Sequence, residues 1–126
     1  MKQLKRSLFL VVILLIGLHV ADNASANIPA ETIEAPQSAA NGSEITIKVT
    51  VVHSADNIFH HVDWVYIMVN GKEVSRWEYS WDKLPPDATF TRQIKYTMNG
   101  PLEIKTQGHC NIHGSKAPVV MNVTVK

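Results

Sequence analysis

Apolar and polar residues alternate with period two along EITIKVTVV (44–52). Ile45, Ile47, Val49 and Val51 fall on one side, Thr46, Lys48 and Thr50 on the other, as in a strand with one buried face. VDWVYIMV (62–69) is dense in aromatic and β-branched residues, and Asn70-Gly71 follows it with a strong hairpin signal from which KEVSRWEY (72–79) returns. Leu84-Pro85-Pro86-Asp87 marks a corner. In ATFTRQIKYT (88–97), Phe90, Gln93 and Ile94 interrupt strict alternation, which predicts a twist or bulge. Asn99-Gly100-Pro101 is another turn, LEIKTQG (102–108) a shorter strand and VVMNVTVK (119–126) the last one. No apolar stripe at helical spacing occurs after residue 26. About seven short strands punctuated by turns, without internal repeats, predict an all-β, immunoglobulin-like antiparallel β-sandwich. Trp64, Trp77 and Trp81 are then expected in core and edge packing rather than as a ligand platform.

The N-terminal pattern is of another kind. Lys2, Lys5 and Arg6 precede an apolar run over 8–20, and Ala24-Ser25-Ala26 supplies a small-x-small cleavage site. Residues 1–26 therefore predict a secretory signal peptide, a mature chain from Asn27, and a periplasmic or extracellular location. The run falls short of the roughly 20 residues of a membrane span, so no membrane association beyond this segment is expected unless it is retained as an anchor. Residues 27–43, with Pro, Ala, Ser and acids but no sustained period, predict a flexible leader, which leaves 44–126 as the folded domain.

Composition removes some functions. Past residue 26 the chain carries nine Lys/Arg against ten Asp/Glu, a balance that supports neither nucleic-acid binding nor a polybasic membrane surface. A single cysteine, Cys110, excludes any internal disulfide, so an exported domain of this size depends on its core or on a metal. Self-association into a homo-oligomer is left open.

Cys110 lies in HCNIHG (109–114). A thiolate and an imidazole three positions apart can face one metal from a tight turn, and Asn111 and Gly114 suit such a turn. A loop cysteine beside unrelated histidines is the bland alternative. Against it stands the clustering of the five histidines after residue 26, with His53, His60 and His61 in one segment and His109 and His113 in another. If both segments reach the same end of the sandwich, several imidazoles converge on one thiolate.

HHVDWVYIMVNGKEV (60–74) together with HCNIHGS (109–115) resembles the iron-binding domain of the superoxide reductase family, that is, neelaredoxin and the catalytic domain of desulfoferrodoxin. His60 followed by Trp64 and by Asn70-Gly71 is similar to the family's His-x-x-x-Trp segment, and Cys110-Asn111-Ile112-His113-Gly114 is similar to its Cys-Asn-x-His-Gly loop. The resemblance spans roughly 44–126. It implies a mononuclear iron, cycling between ferrous and ferric, held by histidine nitrogens and one cysteine sulfur, with a position open to superoxide. It further implies one-electron reduction of superoxide to peroxide and an external electron donor. Carried over residue by residue, it implies His53, His60, Cys110 and His113 as metal ligands, with Cys110 also tuning the chemistry. Neutral imidazoles suit ferrous iron, and a thiolate donates electron density to it.

The chain also departs from that pattern. The family's first histidine ligand lies upstream in a loop with a glutamate and a lysine, whereas residues 27–52 hold no histidine and their one lysine, Lys48, falls in mid-strand. His61 or His109 could fill the gap. Each adjoins a better candidate, however, and successive side chains on extended backbone face opposite ways, so a surface position is the expected fate of both. Two further readings follow. A blue-copper electron carrier would use His60 or His61, Cys110, His113 and Met121, although seven residues between His113 and Met121 is a wide spacing for that site. A non-catalytic binding domain with a degenerate metal site is the reading to which the missing histidine and lysine point.

Overall fold

The computed structural model describes residues 27–126. The signal segment expected over 1–26 lies outside the described residues. Among the described residues eight strands form: β1 (Ala30–Glu34), β2 (Ser38–Ala39), β3 (Glu44–Val52), β4 (Val62–Val69), β5 (Lys72–Glu78), β6 (Thr89–Thr97), β7 (Leu102–Cys110) and β8 (Val119–Val125). One sheet has the order β1-β3-β6 and the other β2-β8-β7-β4-β5. This is the all-β sandwich expected of the period-two pattern.

The alternation in β3 acts as predicted, with Ile45, Ile47, Val49 and Val51 buried and the intervening residues partly exposed. They face Val65, Ile67 and Val69 of β4, Leu102 and Ile104 of β7, and Val123 of β8 across the core. Each such aliphatic side chain contributes about 1.5–3 kcal/mol on burial, which lets a domain without an internal disulfide hold together. The β4–β5 hairpin turns at Asn70 and Gly71, whose φ values of 51° and 80° are the left-handed pair of a type I′ turn.

Three expectations are corrected. The leader is not a flexible segment: Ala30–Glu34 pairs antiparallel with β3, and Ser38–Ala39 pairs parallel with β8. Its pattern was disguised because the two inward positions of β1 are Glu31 and Ile33, and Glu31 is buried by accepting a bond from Gly108 N at 2.6 Å. Among the described residues the sandwich thus begins at β1 and has eight strands. The irregularity expected in β6 is also absent, since its register with β3 runs unbroken from Glu44↔Thr97 to Val52↔Thr89. There Arg92 occupies an inward position, with Nε donating to Tyr79 Oη at 2.8 Å and its guanidinium over the Tyr79 and Phe90 rings. Finally, Trp64 and Trp77 are half-buried as packing residues, but Trp81 is 68% exposed.

The register shifts lie on β4, in the other sheet. Between Val62 and Trp64 the β4–β7 register slips, because Val62 opposes Cys110 while Trp64 opposes His109, leaving Asp63 as the extra residue. β7 also runs two residues beyond its predicted end, so His109 and Cys110 are strand residues.

Candidate metal centre

The end of β3, the segment before β4 and the turn after β7 meet at one end of the sandwich. His53 continues β3 by donating N–H to Ala88 O at 3.0 Å, and its side chain is buried. Residues 57–60 are folded by Asn57, whose Oδ1 accepts from Phe59 N and His60 N while its backbone exchanges hydrogen bonds with His60. After Cys110 the chain reverses through a turn closed by Cys110 N to Gly114 O at 2.8 Å and Gly114 N to Cys110 O at 3.0 Å. Gly114 has φ 79°, a conformation costly for any side chain with a Cβ. Asn111 joins the two segments: its N–H donates to His61 O, its Oδ1 accepts from His61 N, and its Nδ2 donates to Phe59 O.

This scaffold brings one donor atom from each of His53, His60 and Cys110 within 4.8 Å of one another, close enough to share a metal ion. His113 joins them from across the turn, with Nδ1 3.6 Å from Cys110 Sγ and its ring 5.0 Å from that of His60. The His53 and His60 rings lie edge to face at 4.7 Å. All four first-rank candidates therefore converge.

The electrostatics fit a cation. Cys110 is fully buried, and His113 N donates to its sulfur at 3.4 Å, which holds the sulfur toward the cluster. Burial, followed by the neighbouring His53, His113 and His61, lowers the pKa of His60 and keeps the ring neutral, with a lone pair to give. Among the described residues, buried His60 Nε2 has no hydrogen-bond partner and is the kind of orphaned electron-pair donor that a metal satisfies. Asp56 Oδ1, close to the same loop, is likewise unpartnered, and its pKa is raised first by burial and then by Asp87.

Residues 21–116 match the Desulfoferrodoxin family. The chain belongs to the desulfoferrodoxin family. That match contains every residue of the cluster and stops short of β8. Among curated proteins nothing matches. Among solved structures, a variant of the superoxide reductase (neelaredoxin) from Ignicoccus hospitalis is similar at TM-score 0.65 and 16% identity, covering 86% of this chain and 87% of that one. The reduced neelaredoxin from Archaeoglobus fulgidus is similar at 0.54 and 17%, covering 79% and 90%. Fibronectin(III)-like modules of CbhA from Clostridium thermocellum also reach 0.54 at 16% identity, covering 79% of this chain and 47% of that one. Shape alone thus does not separate desulfoferrodoxin relatives from unrelated sandwiches; the residues at the sandwich end do.

In this desulfoferrodoxin-family chain the two second-rank candidates stay out of the cluster. His61 is buried, not at the surface as expected, and its Nδ1 donates to Asn57 O at 3.0 Å. His109 stacks on Trp64 with its Nδ1 2.6 Å from Asp63 Oδ1, on the outer side of the sheet. Lys48 pairs with Glu34 at 3.7 Å on a solvated face, as mid-strand alternation predicts. Sequence reasoning missed Asn57 and gave Asn111 only a place in its turn; the Asn in Cys-Asn-x-His was visible, but its partners fifty residues away were not.

Proposed function

We propose that the protein is an exported mononuclear iron protein that reduces superoxide to peroxide, as its superoxide reductase neighbours do by name. The observation that carries this reading is the convergence of His53, His60 and Cys110 within 4.8 Å, with His113 against the same sulfur. These residues would hold the iron. Ferrous iron, if bound there, would supply the single electron that, with two protons, turns superoxide into hydrogen peroxide, and an external reductant would restore it.

The chain's own groups account for the rest. Cys110, out of contact with water and receiving the His113 amide N–H at its sulfur, offers the one sulfur donor of the cluster. Neutral His60 presents a lone pair without competition from a proton. His113 lies at the exposed edge, where a small anion and solvent protons can arrive. Lys48 is paired with Glu34 on a solvated face and is not expected to steer the anion, so Lys48→Ala should leave its capture rate nearly unchanged.

The copper reading loses its fourth donor. Met121 opposes Ile104 on β7, six residues before Cys110, which at about 3.3 Å per residue is roughly 20 Å from the thiolate. Elemental analysis after anaerobic loading with ferrous iron tests the proposal, together with a visible spectrum before and after mild oxidation. Near-stoichiometric iron with a thiolate-to-ferric band that reductant bleaches is the expected result; stoichiometric copper with an intense blue band, or no metal, overturns it. Pulse-radiolysis kinetics then separate an enzyme from a metal-holding domain. Export is supported by the 8–20 apolar run and Ala24-Ser25-Ala26. An intact mass of the native protein equal to a chain from Asn27 is the expected result, and one retaining residues 1–26 overturns cleavage.

A further inference from the structure

Residues 27–52 contain no histidine, yet the strand that opens the sandwich leads back to the metal cluster. β1 pairs Ala30 with Val52, the residue before His53, and the bond from Gly108 N to buried Glu31 together with the burial of Pro29 pins the segment there. Three residues upstream of Ala30, Asn27 is consequently laid over His53. Its carbonyl oxygen lies 3.2 Å from His53 Nε2, and its side-chain Oδ1 is turned away to accept from Ser54 Oγ at 3.3 Å.

The chemistry of that contact is informative. A neutral imidazole carries one N–H, and His53 Nδ1 sits 2.8 Å from Ala55 O, the shorter of its two carbonyl contacts. With the proton on Nδ1, Nε2 and the Asn27 oxygen are two electron-pair donors facing each other, and a cation shared between them satisfies both. Two donors at about 2.1 Å from one metal and at right angles lie about 3 Å apart, close to the separation observed here. The unpartnered His60 Nε2 belongs to the same cluster.

We propose, resting on the metal-site reading above, that the main-chain carbonyl oxygen of Asn27 is a donor to the same metal, in place of a histidine that residues 27–52 lack. A peptide carbonyl is neutral, as imidazole is, so the substitution preserves the charge of the site. It is a harder donor than imidazole and a weaker one for first-row divalent ions, so metal affinity is lower than a fourth histidine would give.

The test uses Co2+ as the probe on the full chain, read by its thiolate charge-transfer and d–d absorption and by competition titration. Asn27→Ala keeps the carbonyl and is expected to bind within about 2-fold of wild type. Asn27→His offers an imidazole from the same position and is expected to bind at least 10-fold tighter with an altered d–d spectrum. A crystal structure of the Co2+-loaded wild type is expected to show the Asn27 oxygen bonded to the metal. Asn27→Ala weakening as severely as His53→Ala would assign the donor to the side chain and overturn the proposal. So would an Asn27→His protein indistinguishable from wild type, or a loaded structure with that oxygen away from the metal. Wild type and Cys110→Ser binding Co2+ equally would instead reject the metal site itself, a separate failure that the charge-transfer band identifies.

Discussion

His113 and His109 stand on either side of Cys110 and end in opposite surroundings. His109 precedes the cysteine within β7, and successive residues of a strand point to opposite faces, so as Cys110 turns inward His109 turns out against Trp64 and Asp63. His113 follows by three positions across a turn, and the reversal at Gly114 folds its ring back to the sulfur. His60 and His61 repeat the lesson, one entering the cluster and the other bonding Asn57. Proximity in sequence counts against shared ligation in extended backbone and in favour of it across a turn.

That contrast can be broken most strongly at the thiolate. Cys110→Ser is expected to lose the thiolate-to-metal absorption and about 4 kcal/mol of metal binding, roughly 10³-fold, in a Co2+ titration; His109→Ala, one residue away, should move the affinity less than about 3-fold. Equal losses would erase the distinction between the two neighbours.

The strand end bearing both residues is also held from β1, where burial raises Glu31 from 4.5 to about 7 against the hydrogen bond from Gly108 N. A carboxyl with a raised folded pKa contributes stability that is complete below 4.5 and is lost as the pH rises through about 7. From this group the protein is expected to lose up to about 3 kcal/mol between pH 4.5 and 8 in urea denaturation. Glu31→Gln keeps an acceptor for Gly108 and should flatten that dependence; an unchanged pH profile would show that Glu31 does not carry it.

A smaller effect sharpens the outward half of the comparison. His109→Ala removes the Asp63 bond and the Trp64 stack, both partly exposed, and is expected to cost about 1–2 kcal/mol of stability in the metal-free protein. Met121→Leu, far along β8, should change stability by less than about 1.5 kcal/mol and leave the metal spectrum untouched. A spectral shift there would revive the copper reading.

The legible parts of this molecule share a physical reason. β3, β4 and the Asn70-Gly71 hairpin express their conformation through local alternation and a turn dipeptide that tolerates positive φ, and both can be read a few residues at a time. The Cys110–His113 pair is equally local, because a turn closes it. β1 was hidden because its inward position holds an acid whose partner, Gly108, lies 77 residues away in the other sheet. β6 looked irregular because Arg92 faces inward, and only the Tyr79 and Phe90 rings make that tolerable.

By itself, then, the sequence determined an all-β sandwich, the identity of its thiolate and the family to which its two motifs belong. Those properties reside in periodicity and short spacing. Tertiary structure alone decided that Glu31 is buried against Gly108, that His61 is buried against Asn57 rather than solvated, and that the Asn27 carbonyl reaches His53. Such facts depend on register across strands far apart in the chain, and in the last case on a backbone oxygen that every residue possesses and that no sequence pattern can single out.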